Sequence, residues 1–153
     1  MDKELAVQSL TDTMAKFTAY IGKRLPKDVK SKLIELKTLE TNPLAKSIYD
    51  SMDENQEAAD RLNRPSCQDT GVIQYFVEAG AHFPLLGELQ EILREATEEA
   101  TRTGPLRHNA VETFDEKNTG TNTGTQIPWL DWRIVPEQDT CTIDVYMAGG
   151  GCT

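Results

Sequence analysis

The sequence has little positive charge and no long apolar run. Its 153 residues include 16 Lys and Arg against 25 Asp and Glu, for a formal net charge of −9. Phosphate backbones are bound by basic faces, so we expect no nucleic-acid partner. No stretch approaches the length of a membrane span, and Met1-Asp2-Lys3-Glu4 lacks a basic region and the apolar core of a signal peptide. We therefore expect a cytoplasmic chain with no membrane partner.

The sequence also lacks an even number of cysteines and a Cys-x-x-Cys motif. The three cysteines form an odd set, which argues against a closed disulfide framework and favours a reducing compartment. Free thiols in such a compartment are inert core residues, metal ligands or nucleophiles. Because no Cys-x-x-Cys pair occurs, a zinc site that uses Cys67, His82 or His108 is only a distant alternative.

The hydrophobic pattern predicts an α+β fold with a helical N-terminal part (residues 1–62) and a mixed part (63–153). Three apolar stripes at helical spacing precede residue 63, and we interpret them as core-packing faces: Leu10-Met14-Phe17-Ile21, Val29-Leu33-Leu36, and a third between Pro43 and Leu62. Beyond Pro65 we predict a small sheet with an intervening helix: a strand over 72–77, the helix over 86–102, and strands over 130–134 and 141–147. Residues 136–139 read as the turn of a hairpin.

A few polar residues in loops are candidates for chemistry. Cys67 lies among polar neighbours, and Arg107 carries a planar fork that suits a carboxylate, although a plain surface arginine is the simpler interpretation. His108 is a weak candidate for proton transfer. The loop Asn118–Thr125, rich in Thr, Asn and Gly, could present backbone N–H groups to an anion. These features indicate an anion site with a thiolate, but they do not specify a reaction.

Four motifs carry a resemblance that covers nearly the whole chain. They are Arg64-Pro-Ser-Cys67-Gln-Asp-Thr-Gly71, Pro105-Leu-Arg107-His-Asn-Ala-Val111, Asp115-Glu-Lys-Asn-Thr-Gly120 and Met147-Ala-Gly-Gly-Gly-Cys-Thr153. With them the chain resembles the iron–sulfur hydro-lyases, which comprise the class I fumarate hydratases and the L(+)-tartrate dehydratases. Because the glycine run stands two residues before the last residue, and because of the resemblance, we expect residues 1–153 to be the N-terminal part of the family's alpha domain.

The resemblance implies a [4Fe–4S] cluster with one open iron. Cys67 matches the first of three cysteine ligands, and the other two are absent from this chain; neither Cys141 nor Cys152 stands at a ligand position. Gln68, Asp69, Arg107 and the glycine run around Gly150 match substrate-binding positions. The implied reaction is dehydration of L(+)-tartrate, and the implied partner is a beta subunit that completes the active site in a heterotetramer of two alpha and two beta chains.

Two alternatives stay open. The first is a class I fumarate hydratase, which interconverts malate and fumarate, another small dicarboxylate pair. The second belongs to a different class: a non-catalytic helical scaffold or interaction module in which the Cys67 thiol binds nothing. We also expect the 153-residue chain by itself to be inactive, since one matched ligand cannot replace three.

Overall fold

The computed structural model describes residues 2–67 and 69–149, which fold into four helices and a three-stranded sheet. The helices are α1 (Lys3–Ile21), α2 (Lys27–Leu39), α3 (Pro43–Leu62) and α4 (Leu89–Thr103), and the strands are β1 (Val72–Gly80), β2 (Trp129–Val135) and β3 (Cys141–Ala148). The predicted α+β class is confirmed. Within these described ranges, every helix is too short or too polar to cross a membrane.

Local sequence signals fix the ends of the N-terminal helices. The Asp2 side chain caps α1 by accepting a hydrogen bond from the N–H of Glu4. Helix α3 begins with Pro43 at its first position, and the Asn42 side chain accepts from the N–H of Leu44. The same helix ends at Asn63, which takes the left-handed conformation that Asn tolerates.

The sheet has the order β2-β1-β3, with β1 parallel to β2 and antiparallel to β3. The predicted hairpin between β2 and β3 is therefore wrong, because β1 lies between them. Strand β1 lies at the centre and pairs with both other strands, and its alternate side chains, Ile73, Tyr75, Val77 and Ala79, are buried on one face of the sheet. The connection from β2 to β3 crosses the end of β1 at Gly80, where the Gly80 N–H donates to the Thr140 carbonyl at 2.8 Å.

The core lies between one face of the sheet and helices α1 and α4. The inward side chains of β1 pack against Met14 and against a stripe on α4 formed by Leu89, Leu93, Ala96 and Ala100. The Tyr75 hydroxyl reaches between the two helices and is 3.1 Å from the hydroxyl oxygens of both Thr18 and Thr97. This packing makes α1, α4 and the sheet one unit.

Two predicted stripes are not core faces in the described chain. Helix α2 has no buried residue, and Ala59 is the only buried residue of α3. In α1 the buried face is turned from the predicted one, because Thr18 is buried while Phe17 is 45% exposed. The spacing correctly predicted helices, but it cannot specify whether a partner element covers each apolar face.

Candidate functional site

Three chain segments meet near the N-terminal end of β1. They are the loop that leads into β1, the segment that follows α4, and the end of β3. Gly71 makes the close approach possible: its φ is +81°, and a Cβ added there would lie 2.5 Å from the carbonyl carbon of Ala148. Hydrogen bonds from Arg107 to Thr70 and from Asn109 to Asp69 bring the Cys67 and Arg107 motifs, 40 positions apart in the sequence, into adjacent segments.

The Asp69 carboxylate is held by two of these segments. Its Oδ1 accepts hydrogen bonds from the Gly71 N–H at 2.8 Å and from the Asn109 Nδ2 at 2.9 Å. Its Oδ2 lies beside Gly149, at 3.6 Å from the position of a Cβ added to that glycine. One oxygen is thus tied to the scaffold while the other lies at the start of the glycine run.

Arg107 is anchored through its backbone and leaves its side chain exposed. Its N–H donates to the hydroxyl oxygen of Thr70, a buried residue, at 3.2 Å. Within residues 2–67 and 69–149, the Arg107 guanidinium has neither an ion pair nor a side-chain hydrogen bond. The fork is therefore available to a carboxylate ligand, and substrate binding by Arg107 stays a prediction.

Asn122 locks the Arg107 segment against α4. Its Oδ1 accepts from the N–H of Asn109 at 2.7 Å and of Ala110 at 3.3 Å, while its Nδ2 donates to the Arg107 carbonyl at 2.7 Å and to the Thr101 hydroxyl at 3.1 Å. The side chain is buried and the backbone is left-handed, with φ of +57°. Sequence reasoning missed both Asn109 and Asn122. The Thr/Asn/Gly composition did indicate a left-handed turn residue, but nothing local identifies partners 12 to 21 positions away.

The thiol of Cys67 is free and exposed, so it can reach a ligand from the surface. Cys141 cannot join it, because Cys141 pairs with Ala79 at one end of β1 whereas the Cys67 loop precedes Val72 at the other. Burial also raises the pKa of the Cys141 thiol, which opposes the thiolate form. The described residues thus fit one corner of an iron–sulfur cluster, and further ligands would have to come from outside them.

Cys67 and His82, two of the three residues named for the zinc alternative, lie at opposite ends of β1. His82 lies two residues after Gly80, the last residue of β1, whereas Cys67 precedes Val72, and a nine-residue strand spans about 30 Å. Among the residues that the structure describes, no three His, Cys, Asp or Glu side chains come together to hold an ion.

His108 lines a cavity of about 750 Å³ between α1, α4 and the 120–121 turn. Its other ionisable lining side chains are mostly acidic: Asp12, Glu95, Glu98 and Glu99, with the single cation Arg102. This lining would repel a dicarboxylate, so we place the candidate substrate site on the Asp69–Arg107 side instead.

The predicted anion loop uses several of its N–H groups internally. The Gly120 N–H donates to the Asn118 Oδ1 at 2.8 Å, and the Gly124 N–H donates to the Ile127 carbonyl at 2.9 Å. The Asn118 amide also donates to the His108 carbonyl. The loop therefore supports the Arg107 segment, and these two N–H groups are not available to an anion. Gln68 and Gly150, the remaining predicted substrate residues, lie outside the described residues.

The chain belongs to the fumarate hydratase (Fumerase) family, whose family model matches residues 11–153. It is 57% identical over 152 residues, or 99% of its length, to the alpha subunit of L(+)-tartrate dehydratase from Escherichia coli strain K12, and covers 50% of that protein. The corresponding subunit of E. coli O157:H7 is 58% identical, again with 50% of that protein covered. A putative class I fumarate hydratase of Geobacillus stearothermophilus is 27% identical over 95% of this chain, which covers 28% of that protein. The chain thus spans about half the length of the tartrate dehydratase subunits that it matches.

Proposed function

We propose that this chain supplies part of the active site of an iron–sulfur hydro-lyase that dehydrates L(+)-tartrate to oxaloacetate and water. The observation that carries the proposal is the meeting of the Cys67–Asp69 loop with the Arg107 segment, since family resemblance assigns the cluster and the substrate to these two motifs. The 57% identity to an L(+)-tartrate dehydratase alpha subunit favours tartrate as the substrate. In this proposal, residues 1–153 form the N-terminal part of an alpha domain.

Dehydration of a 2-hydroxy acid must remove hydroxide, a poor leaving group, together with a weakly acidic C–H proton. When bound, a [4Fe–4S] cluster supplies Lewis-acid assistance to the departure of the hydroxyl group. Cys67 would be one of its thiolate ligands and not a nucleophile, and an exposed, unpaired thiol suits that role. The first organic product, an enol, tautomerises to oxaloacetate.

The chain's other site residues would bind and orient the substrate. The Arg107 guanidinium would hold the far carboxylate through two parallel hydrogen bonds and stabilise the negative charge that builds as the C–H proton leaves. Asp69 and Gln68 would accept or donate hydrogen bonds at the substrate hydroxyl groups, and the backbone at Gly150 would approach the substrate closely. The general base would come from elsewhere in the assembly, since His108 lines the acidic cavity and is at most an orienting donor.

We further propose that a beta subunit completes the site in an assembly of two alpha and two beta chains in the cytoplasm. The relatives' designation as subunit alpha is consistent with such a partner. The isolated 153-residue chain should then neither hold a stable cluster nor turn over substrate. A stoichiometric cluster on the isolated chain would contradict this part of the proposal.

The second candidate is a class I fumarate hydratase, which the family description and the Geobacillus relative favour. Comparing the turnover of L-tartrate and of malate by the complete, reconstituted enzyme distinguishes the two. We expect efficient tartrate dehydration. Undetectable tartrate turnover beside rapid malate–fumarate interconversion would favour the second candidate, and turnover of neither would favour the scaffold alternative.

A further inference from the structure

We infer that Asn109 is a positioning residue that keeps the side chains of Asp69 and Arg107 apart and correctly oriented. The Asn122 side chain in turn fixes the segment that contains Asn109. The inference rests on the proposed function, because it concerns the two side chains that would bind the substrate. Asn109 itself need not touch the substrate.

The position of Asn109 makes it the link between the two motifs. It lies two residues after Arg107, and its Nδ2 donates to Asp69, 40 positions earlier in the chain, at 2.9 Å. The same amide is 3.4 Å from the Thr70 hydroxyl oxygen, which also accepts the N–H of Arg107. The side chain of Asn109 therefore holds Asp69, while its backbone belongs to the segment that carries Arg107.

The Asn109 amide that contacts Asp69 is electrically neutral, and this neutrality supports the inference. Asp69 and Arg107 carry opposite charges in adjacent segments, and a direct ion pair would neutralise the cation that the substrate carboxylate needs. Oδ1 of Asp69 is instead occupied by two neutral donors, the Asn109 amide and the Gly71 N–H. Within the described residues the Arg107 guanidinium remains outside any ion pair. A neutral amide thus orients the carboxylate without competing for the arginine.

Asn122 makes this arrangement rigid. Its Oδ1 accepts the backbone N–H of Asn109, and its Nδ2 donates to the Arg107 carbonyl, so both ends of the three-residue segment are fixed by one buried side chain. The Thr101 hydroxyl connects that side chain to α4. The segment is preorganised before substrate arrives, which lowers the entropic cost of binding.

A double-mutant cycle on the complete, reconstituted enzyme tests the inference: wild type, Asn109→Ala, Asp69→Ala and the double variant, assayed with L-tartrate and malate. We expect Asn109→Ala to lower kcat/KM by about 10- to 100-fold, mainly through KM, because Arg107 can then pair with Asp69. The double variant should lose little more than Asp69→Ala alone, within about twofold, because Asn109 acts through Asp69. Losses that multiply would overturn the positioning role.

A matched control separates positioning from stability. Asn42→Ala removes another asparagine side-chain hydrogen bond, the cap of α3, far from this site. It should lower the Tm and leave kcat/KM unchanged; an equal fall in kcat/KM would overturn the inference. If Asn109→Ala does not fold, Asn122→Gly serves as the second variant, since glycine keeps the left-handed backbone while the hydrogen bonds are lost.

Binding gives a readout besides turnover. The Kd of succinate, an unreactive dicarboxylate, should rise about tenfold or more in Asn109→Ala and stay unchanged in Asn42→Ala. Wild-type enzyme that turns over neither L-tartrate nor malate would remove the proposed function and this inference with it. An active wild type with an additive cycle and an unchanged succinate Kd would remove only the positioning role.

Discussion

The unit formed by the sheet, α1 and α4 and the pair formed by α2 and α3 differ in how they use apolar residues. In α4, seven residues are buried, and its apolar stripe faces β1 directly. The α2–α3 pair has equally regular stripes, yet Leu39, Leu44 and Ile48 are 68%, 72% and 56% exposed. The comparison teaches that helical amphipathicity and burial are separate properties: the first is set locally, whereas the second requires a partner surface.

Exposed ion pairs connect α2 to α3 and connect α3 to the segment between α1 and α2. Lys37 of α2 pairs with Asp50 and Asp53 of α3 at 2.7 and 2.8 Å, which raises the pKa of the Lys37 ammonium group. Arg24, between α1 and α2, pairs with Asp60 of α3. Because such exposed pairs contribute little, we expect the stability of the chain to reside in the sheet unit.

A pair of leucine substitutions tests this comparison with the largest expected effect. Leu93→Ala removes a fully buried side chain of α4 and should reduce the free energy of unfolding by about 2–5 kcal/mol. Leu44→Ala, the matched change on α3, should alter it by less than about 0.5 kcal/mol. Urea unfolding followed by tryptophan fluorescence measures both. Equal losses would show that α3 is buried in solution and would invalidate the comparison.

A glycine pair tests the junction between the sheet and the site. Gly71→Ala places a Cβ at a positive φ and against the Ala148 backbone, so we expect a loss of about 2–3 kcal/mol and weakened dicarboxylate binding. Gly87→Ala, where an added Cβ meets nothing within 4 Å, should be close to neutral. A neutral Gly71→Ala would mean that β3 does not approach the loop as closely as described.

A substitution in the buried hydroxyl cluster should have a smaller effect on the free energy of unfolding, and that effect should depend on pH. Tyr75→Phe removes the hydroxyl between Thr18 and Thr97 and should cost about 1–2 kcal/mol at neutral pH. Burial raises the pKa of Tyr75 above its ordinary value of 10.0, so the folded state holds this proton more tightly than the unfolded chain does. Its contribution to stability is complete below pH 10 and is lost as the pH rises through the folded pKa. Tyr75→Phe should show a smaller alkaline loss than wild type in unfolding titrations; equal losses would contradict the assignment.

The helices and strands were predictable because their patterns are local. Stripes such as Leu10 and Met14, and the alternating residues of β1, record the period of each element. The sheet order was not predictable from the same residues. Strands β2 and β3 look like a hairpin in sequence, but each of them pairs with β1 instead, at positions 55 or more residues away along the chain.

The candidate site likewise contains some residues that were predictable from the sequence and others that were not. Cys67 and Arg107 were identified from their residue types and motifs, which are local features. The roles of Asn109 and Asn122 depend on hydrogen bonds to Asp69 and Thr101, which only the folded chain brings together. The zinc alternative named Cys67, His82 or His108 from their residue types, and the length of β1 separates the first two.

The most direct test of the account is the visible absorbance of the cluster after anaerobic reconstitution of the complete subunit with iron and sulfide. Three proteins are compared: wild type, Cys67→Ser, and Cys141→Ser as the matched control at the other end of β1. We expect Cys67→Ser to lose the cluster absorbance and Cys141→Ser to retain it. Unchanged absorbance in Cys67→Ser would contradict ligation by Cys67, and with it the chemical centre proposed for this chain.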